Sequence, residues 1–442
     1  MKRILLISYN FSPELTGIGK YNGEMINWLV KTGYDCSVLT AYPYYPFWKV
    51  QGPYFRKRFF YSNEEAPVDS SGHRIRIYRC PLYVPAKPTG LTRILLDFSF
   101  FISALFRLIT LLAHPKFDFV IAVAPSFQVG LLGVLYKKLR GAKLLYHIQD
   151  LQIEAARDLK MIKSESLVNT LLKAEKQILN HADIVSSISD EMVRKVSSKA
   201  GRNTFLFPNW TNVQQFFPIA DRAEIKRRYG FSEFDKVVLY SGAMGEKQGL
   251  EAILRAAESN RKNSHVKFVL CGSGPYREKL IEICHQRELN NVCFLPLQPL
   301  EEFNRFLNMA DIHLIIQKGS ASDLVMPSKL GAILAVGGIA IVTANEGSAL
   351  HRLIAKHQMG LLVHADDQSA LEDGIATLLS EDFQHLSRNA RNYAEEFLAI
   401  DHIMVRFERT FKQLWLENTT LNNSSKRYED FPAVTTSTNN AM

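Results

Sequence analysis

Short apolar runs alternate with helical stretches along most of this chain, and that alternation restricts the fold more than any other feature. Runs that are apolar throughout suit strands of a parallel sheet covered by helices on both faces. In the first half they lie at residues 3–8, 35–40, 75–80, 119–124, 143–147 and 184–187. A second series lies at 236–241, 266–271, 292–295, 312–316 and 339–343, with helical patterns at 249–259, 276–286 and 300–309. Between the two series, 204–218 carries Phe207-Pro208-Asn209-Trp210 and Pro218 and reads as a linker. The expected class is α/β: two successive Rossmann-like domains, 1–205 and 206–400, facing a ligand cleft at the carboxyl ends of their strands. A helix over 401–416 is expected to pack back on the first domain. The Asn-, Thr- and Ser-rich tail 417–442 reads as disordered.

Several of the apolar runs end in glycine loops. The first leads through Ser12-Pro13-Glu14 to Gly17-Ile18-Gly19-Lys20 and a helical stretch over 21–30. Asn22 stands where a dinucleotide fingerprint needs its third glycine. Glu14 and Tyr21 stand where a P-loop needs glycine and Ser/Thr. The loop is therefore an anion- or sugar-facing turn of another kind, or a structural turn. In the second half, 237–240 leads into Ser241-Gly242-Ala243-Met244-Gly245-Glu246-Lys247-Gln248-Gly249, whose Lys247 could neutralise a diphosphate leaving group. Cys271-Gly272-Ser273-Gly274-Pro275 repeats the strand-to-glycine pattern. Pro327-Ser328-Lys329-Leu330 puts a hydroxyl and an ammonium at a helix start, a second place for an anion.

Charge and cysteine content exclude other classes. The formal net charge is +9, with basic clusters at Arg56-Lys57-Arg58, at Arg74, Arg76 and Arg79, and around Lys137-Lys138. An anionic membrane or phosphorylated ligands fit this excess. Nucleic acid is not expected as a partner, because no helix-turn-helix, zinc-finger or RNP pattern is present. The five cysteines, Cys36, Cys80, Cys271, Cys284 and Cys293, lack metal-ligand spacing, are odd in number and suit a reducing cytoplasm. No secretory signal is read at the start, because the apolar run behind Lys2-Arg3 breaks at Ser8-Tyr9-Asn10. No His/Asp/Glu cluster suggests a metal site.

Two stretches depart from the βα rhythm. In 40–53, Pro43-Tyr44-Tyr45-Pro46-Phe47-Trp48 suits a loop with rigid contact surfaces for a sugar ring or lipid, or a packed loop. In 91–114, Thr92, Ser99, Ser103, Arg107, Thr110 and His114 share one narrow stripe of a helix that is otherwise almost wholly apolar. Such a helix needs burial over most of its circumference. Its length approaches a membrane span, but Asp97 and Arg107 would each cost roughly 2.5–3.5 kcal/mol at depth. An interfacial helix or the wall of an acceptor groove is the favoured reading, with a buried helix beside it and a true membrane span behind both.

Taken together, the chain to about residue 416 resembles the GT-B glycosyltransferases of the "glycosyl transferases group 1" class, family 4. The residues that carry the resemblance are Ser12-Pro13-Glu14 with Gly17-Ile18-Gly19, His147-Ile148-Gln149-Asp150, Phe207-Pro208-Asn209-Trp210, 240–250, Gly272-Ser273-Gly274-Pro275, Pro327-Ser328-Lys329-Leu330 and Ala335-Val336-Gly337-Gly338. Within the family it is similar to the colanic acid biosynthesis group assigned as fucosyltransferases. That group shares the Ser-Pro-Glu-Leu-Thr-Gly-Ile-Gly-Lys-Tyr start, Pro43-Tyr44-Tyr45-Pro46 and Gly245-Glu246-Lys247-Gln248-Gly249-Leu250.

The resemblance implies transfer of a sugar from a GDP- or UDP-linked nucleotide diphosphosugar, a co-substrate, with no cofactor and no metal. The acceptor would be a polyprenyl-diphosphate-linked glycan at the cytoplasmic face of the plasma membrane. It implies donor contacts for Gly17, Gly19, Gly242, Lys247, Gly272, Ser328 and Lys329, and catalytic roles for His147, Asp150 and Lys247. Asp150 is alternatively a helix N-cap. The chain departs from the family pattern in two places. Ala243 replaces an arginine, with Lys247 one position early, and the paired glutamates are replaced by Leu324 and Ala332, with Asp323 adjacent. A GT-B sugar-nucleotide epimerase and a non-catalytic partner subunit are the competing expectations.

Overall fold

The computed structural model describes residues 2–14, 17–68, 74–86, 89–158, 164–319 and 327–420. Asp323, Leu324 and the tail beyond 420 lie outside them. By packing, the chain forms one unit through Ile403 and a second from Met404, which within the described residues is the remainder of the helix Ile400–Thr420.

The first unit holds two sheets. Strands β1 (Arg3–Ile7), β2 (Asp35–Ala41), β3 (Ser62–Pro67), β4 (Arg74–Cys80), β5 (Phe119–Ala124), β6 (Lys143–Ile148), β7 (Ile184–Ser187) and β8 (Phe205–Leu206) form the first, ordered β3-β4-β2-β1-β5-β6-β7-β8. Strands β9 (Lys236–Ser241), β10 (Val266–Cys271), β11 (Val292–Leu295), β12 (Ile312–Ile315), β13 (Ala340–Thr343) and β14 (Leu361–Val363) form the second, ordered β11-β10-β9-β12-β13-β14. All pairings are parallel except β3 with β4. The second sheet shows why its strands read as continuous apolar runs. Val237, Leu239, Val269 and Ile315 bury on one face, and Val238, Tyr240, Phe268 and Leu314 bury on the other.

In each sheet the strand order reverses once beside the first strand of the set, between β1 and β5 and between β9 and β12. Loops leaving the carboxyl ends part there and open a crevice, the usual ligand position in such sheets.

The structure departs from the sequence reading in several places. The helix expected over 21–30 runs over Gly17–Lys31, so Gly17 and Gly19 stand in its first turn rather than in a free loop. Strand β3 has no apolar signature. It is an edge strand whose pairing with β4 is reinforced by the Glu64–Arg79 and Glu65–Arg74 ion pairs, both 3.1 Å. The 204–218 stretch is a packed crossing: β8 pairs with β7, Trp210 and Phe216 are buried, and Thr211 bridges to Ala399.

The apolar helix spans Gly90–Leu111 and starts on a Thr89/Thr92 capping box. It is buried along one stripe only: Leu96, Asp97, Phe100, Ser103, Ala104, Leu108 and Leu111 face inward. The expected burial over most of its circumference is not met.

Candidate functional site

The second crevice is built by two glycine loops that bind each other through their backbones. Gly242 N–H donates to Cys271 O at 2.9 Å, Met244 N–H to Ser273 O at 2.9 Å and Tyr276 N–H to Met244 O at 3.1 Å. A side chain on Gly272 would fall on the Gly242 carbonyl oxygen, and one on Gly274 on the Met244 carbonyl oxygen. These two positions admit glycine because backbone passes over backbone.

Lys329 reaches into this crevice from across the switch point. Its Nζ lies 3.5 Å from the centroid of the Tyr240 ring and 3.4 Å from Leu314 O, beside Gly242. Tyr240 is held by its own hydroxyl, which donates to Ala243 O at 2.7 Å. Burial pulls the Lys329 ammonium down to about pKa 7, and no acidic group among the described residues offsets that effect. The ring face and one carbonyl only partly replace water around it. An anion placed in this crevice would complete its shell and hold it charged.

Gly242, Gly272 and Lys329 are thus brought together, with Ser328 exposed one residue before. Lys247 falls in the short turn Glu246–Gln248, and its side chain lies outside the described atoms. Ala332, at one of the two glutamate positions, packs against the core and offers no acceptor for ribose hydroxyls.

In the first half, His147 occupies the next-to-last position of β6, opposite Ser186 of β7 in the parallel register. That register makes the Nδ1···Ser186 Oγ hydrogen bond, 2.9 Å, while the Phe207 ring stands edge-on at 5.1 Å. Burial lowers the His147 pKa to about 3, so the ring is neutral at physiological pH. It can orient or exchange a hydrogen bond but does not bring positive charge. Asp150 lies just past β6 at the surface. Desolvation by its surroundings, opposed by a hydrogen bond from the Leu151 backbone, leaves its carboxyl above the usual range.

The spaces at Gly17 and Gly19 are claimed within the protein. Gly17 has φ +63° and faces Tyr45, and a side chain on Gly19 would collide with Glu14. Glu14 Oε1 accepts the N–H groups of Tyr44 and Tyr45, both at 3.0 Å, and Oε2 accepts from Asn10 at 2.8 Å. The aromatic-proline loop is therefore clipped onto the loop that follows β1. Nothing in the sequence pattern singled out Glu14 for this, nor Ser186 or Tyr240 for theirs. Replacing Glu14 by Ala strands one buried and one part-buried N–H group and is expected to cost about 1–3 kcal/mol of unfolding free energy, read by denaturant melts.

Tyr9, Glu14, Tyr44, Asp97 and Asp150 interact at this crevice. Burial raises Glu14 and Asp97 to about pKa 7 each. Asp97 accepts from Gln152 Nε2 at 2.8 Å, which ties the apolar helix to the segment following β6. Among the described residues, no group of three or more His, Cys, Asp or Glu is placed to hold a metal ion.

Two Rossmann-like sheets joined by a short aromatic crossing, each with a crevice at its switch point, define the GT-B glycosyltransferase fold. The glycosyl transferases group 1 model matches residues 221–397, and the glycosyl transferase 4-like domain matches 16–210. The chain belongs to this glycosyltransferase family and is a glycosyltransferase. It is 37% identical, over 92% of its own length and 98% of the relative's, to WcaI of Escherichia coli strain K12, a glycosyl transferase assigned to colanic acid biosynthesis. Among solved structures it is similar to sucrose-phosphate synthase from Thermosynechococcus elongatus (TM-score 0.70, 18% identity, 94% of this chain and 100% of that one). It is also similar to Anabaena HepE in complex with UDP and glucose (TM-score 0.63, 14% identity, 93% and 100%).

Proposed function

We propose that this glycosyltransferase moves a sugar from a GDP- or UDP-linked diphosphosugar onto a polyprenyl-diphosphate-linked glycan, in assembly of a colanic acid-like exopolysaccharide. It would act at the cytoplasmic face of the plasma membrane. The observation that carries the donor half is Lys329: an enclosed ammonium without an acidic partner among the described residues, beside glycine-loop backbone and facing an aromatic ring. A diphosphate supplies the missing negative charge. The likeness to WcaI supports the pathway, and the HepE complex with UDP supports a nucleotide-binding GT-B crevice.

In this reading the donor diphosphate lies against Lys329, Ser328 and the Gly242 and Gly272 loops, with Lys247 as a second cation. As the bond from anomeric carbon to diphosphate oxygen breaks, negative charge grows on the leaving group, and Lys329 stabilises it there. Neutral His147, held by Ser186, orients the sugar by hydrogen bonding. Asp150 is the acidic group offered to the sugar or to the acceptor hydroxyl. Gly17 and Gly19 keep the clipped β1 loop close to the reacting sugar.

The test is incubation of the protein with labelled nucleotide diphosphosugars and bacterial inner-membrane lipid. Label is expected to enter the lipid extract with release of nucleoside diphosphate. Interconversion of the nucleotide sugar without lipid labelling would make the protein an epimerase. Binding of nucleotide sugar with neither outcome would make it a partner subunit.

A further inference from the structure

Among the described residues, nothing covers the outer face of the Gly90–Leu111 helix. Ile94, Leu95, Phe98, Ile102, Phe106 and Ile109 are exposed, Phe106 by 61%. Their spacing puts them on one side of the helix, opposite the buried stripe. The segment 45–61 extends this face. Phe59 and Phe60 are 68% and 69% exposed, and an apolar hollow of about 450 Å³ opens between Phe47 and Phe55. Side-chain contacts join the segment to the helix. Tyr61 OH donates to Ser103 O at 3.1 Å, and the Arg93 guanidinium lies 5.2 Å from the Trp48 ring. A contiguous exposed apolar surface of this kind marks an interaction site.

Its charges identify the partner. Residues 45–61 and 90–114 contain Lys49, Arg56, Lys57, Arg58, Arg93 and Arg107 and one acid, Asp97. Asp97 is 4% exposed and turned inward to Gln152. Exposed aromatics and aliphatics are thus interleaved with cations alone, and the Arg58 guanidinium lies against both Phe55 (3.7 Å) and Phe59 (4.3 Å). Apolar side chains that enter an acyl boundary, surrounded by cations that meet anionic headgroups, match a bilayer surface rich in acidic lipid. The helix cannot span that bilayer without tearing Leu96, Phe100, Ala104, Leu108 and Leu111 out of the first core.

We infer that the outer face of Gly90–Leu111 together with residues 47–60 is a docking surface for an anionic lipid bilayer, with the helix lying along the interface. Asp97 and Gln152 connect the back of this surface to the crevice holding Asp150, so a lipid-borne acceptor would enter the first domain from the docked side. The inference gives a location to the lipid-linked acceptor of the proposed function and rests on that reading for its purpose alone.

The test is co-sedimentation of the full chain with vesicles, in the absence of donor and acceptor. Wild-type protein is expected to sediment with phosphatidylglycerol-containing vesicles, to stay in solution with pure phosphatidylcholine, and to be released by about 0.5 M salt. Phe59→Ser with Phe60→Ser, Phe98→Ser with Phe106→Ser, and Arg56→Ser with Lys57→Ser are each expected to reduce partitioning about tenfold or more. All three should keep the wild-type melting temperature and nucleotide-sugar affinity. Wild-type protein that ignores acidic vesicles, or variants that partition as wild type does, overturn the inference. So does a wild-type dimer that dissociates in the Phe98→Ser/Phe106→Ser variant while vesicles go unbound. Because no donor or acceptor is present, failure here leaves the transfer reaction standing, and failure of transfer leaves docking to be read directly.

Discussion

Replacing Lys329 by Met is expected to abolish at least about 99% of sugar transfer while making the unliganded protein more stable. Removing a cation aimed at a developing diphosphate typically costs two or more orders of magnitude in rate. The stability gain follows from the depressed pKa. Lys329 falls from an ordinary 10.5 to about 7 on folding because its ammonium loses water and gains little in return. The penalty is therefore fully present below pH 7, where folded and unfolded chains both carry the charge. It shrinks as pH rises toward 10.5 and vanishes once both are neutral. Methionine fills the same channel against Tyr240 without that penalty. The variant should be more stable by roughly 2 kcal/mol at neutral pH, after discounting for residual solvent access, with the difference fading by pH 10. Thermal melts across pH, run beside transfer assays, read both effects. A residue kept for packing would show the opposite pairing, with stability lost and transfer spared.

Gly272→Ala is the second large effect. The new methyl group would occupy the position of the Gly242 carbonyl oxygen, and that oxygen belongs to backbone fixed by the Gly242–Cys271 hydrogen bond. Neither loop can yield by turning a side chain. The loops must part, breaking the hydrogen bonds at Gly242 and Met244 and moving the cradle around Lys329. A loss of about 3 kcal/mol or more is expected, together with loss of nucleotide-sugar binding in whatever fraction remains folded. Gly141→Ala is the control. Nothing lies within 4 Å of its missing side chain, although its φ of +68° carries a small strain cost, so binding should be untouched.

The strands buried on both faces were legible from composition alone, because a parallel sheet between helix layers leaves no polar alternation to confuse the pattern. Strand β3 was not, because its pairing is held by glutamate–arginine contacts that read as a solvated segment. The cradle was partly legible. Gly242, Gly272 and Lys329 stand out as glycine loops and a lysine at a helix start, but Tyr240 beneath the ammonium looks like any strand aromatic. The spaces beside the glycines of the first loop are taken by Tyr45 and Glu14, a long-range fit that spacing does not encode. The apolar helix was legible as apolar, but not as buried along only one stripe. That depends on where Asp97 finds Gln152, 55 residues away.

The most direct test of the donor cradle is the dissociation constant of a nucleotide diphosphosugar as a function of pH. The diphosphodiester keeps its charge throughout the neutral range, so a slope there reports on the protein. Free Lys329 titrates near pH 7, and bound diphosphate raises its pKa, so binding takes up a proton above pH 7. For the wild type the dissociation constant should be flat from pH 6 to 7 and rise about tenfold by pH 8.5, whereas Lys329→Gln should bind weakly with no such slope. A wild-type constant that does not change across this range, or a Lys329→Gln variant that binds as tightly as wild type, would contradict the assignment of Lys329 as the donor diphosphate's cation.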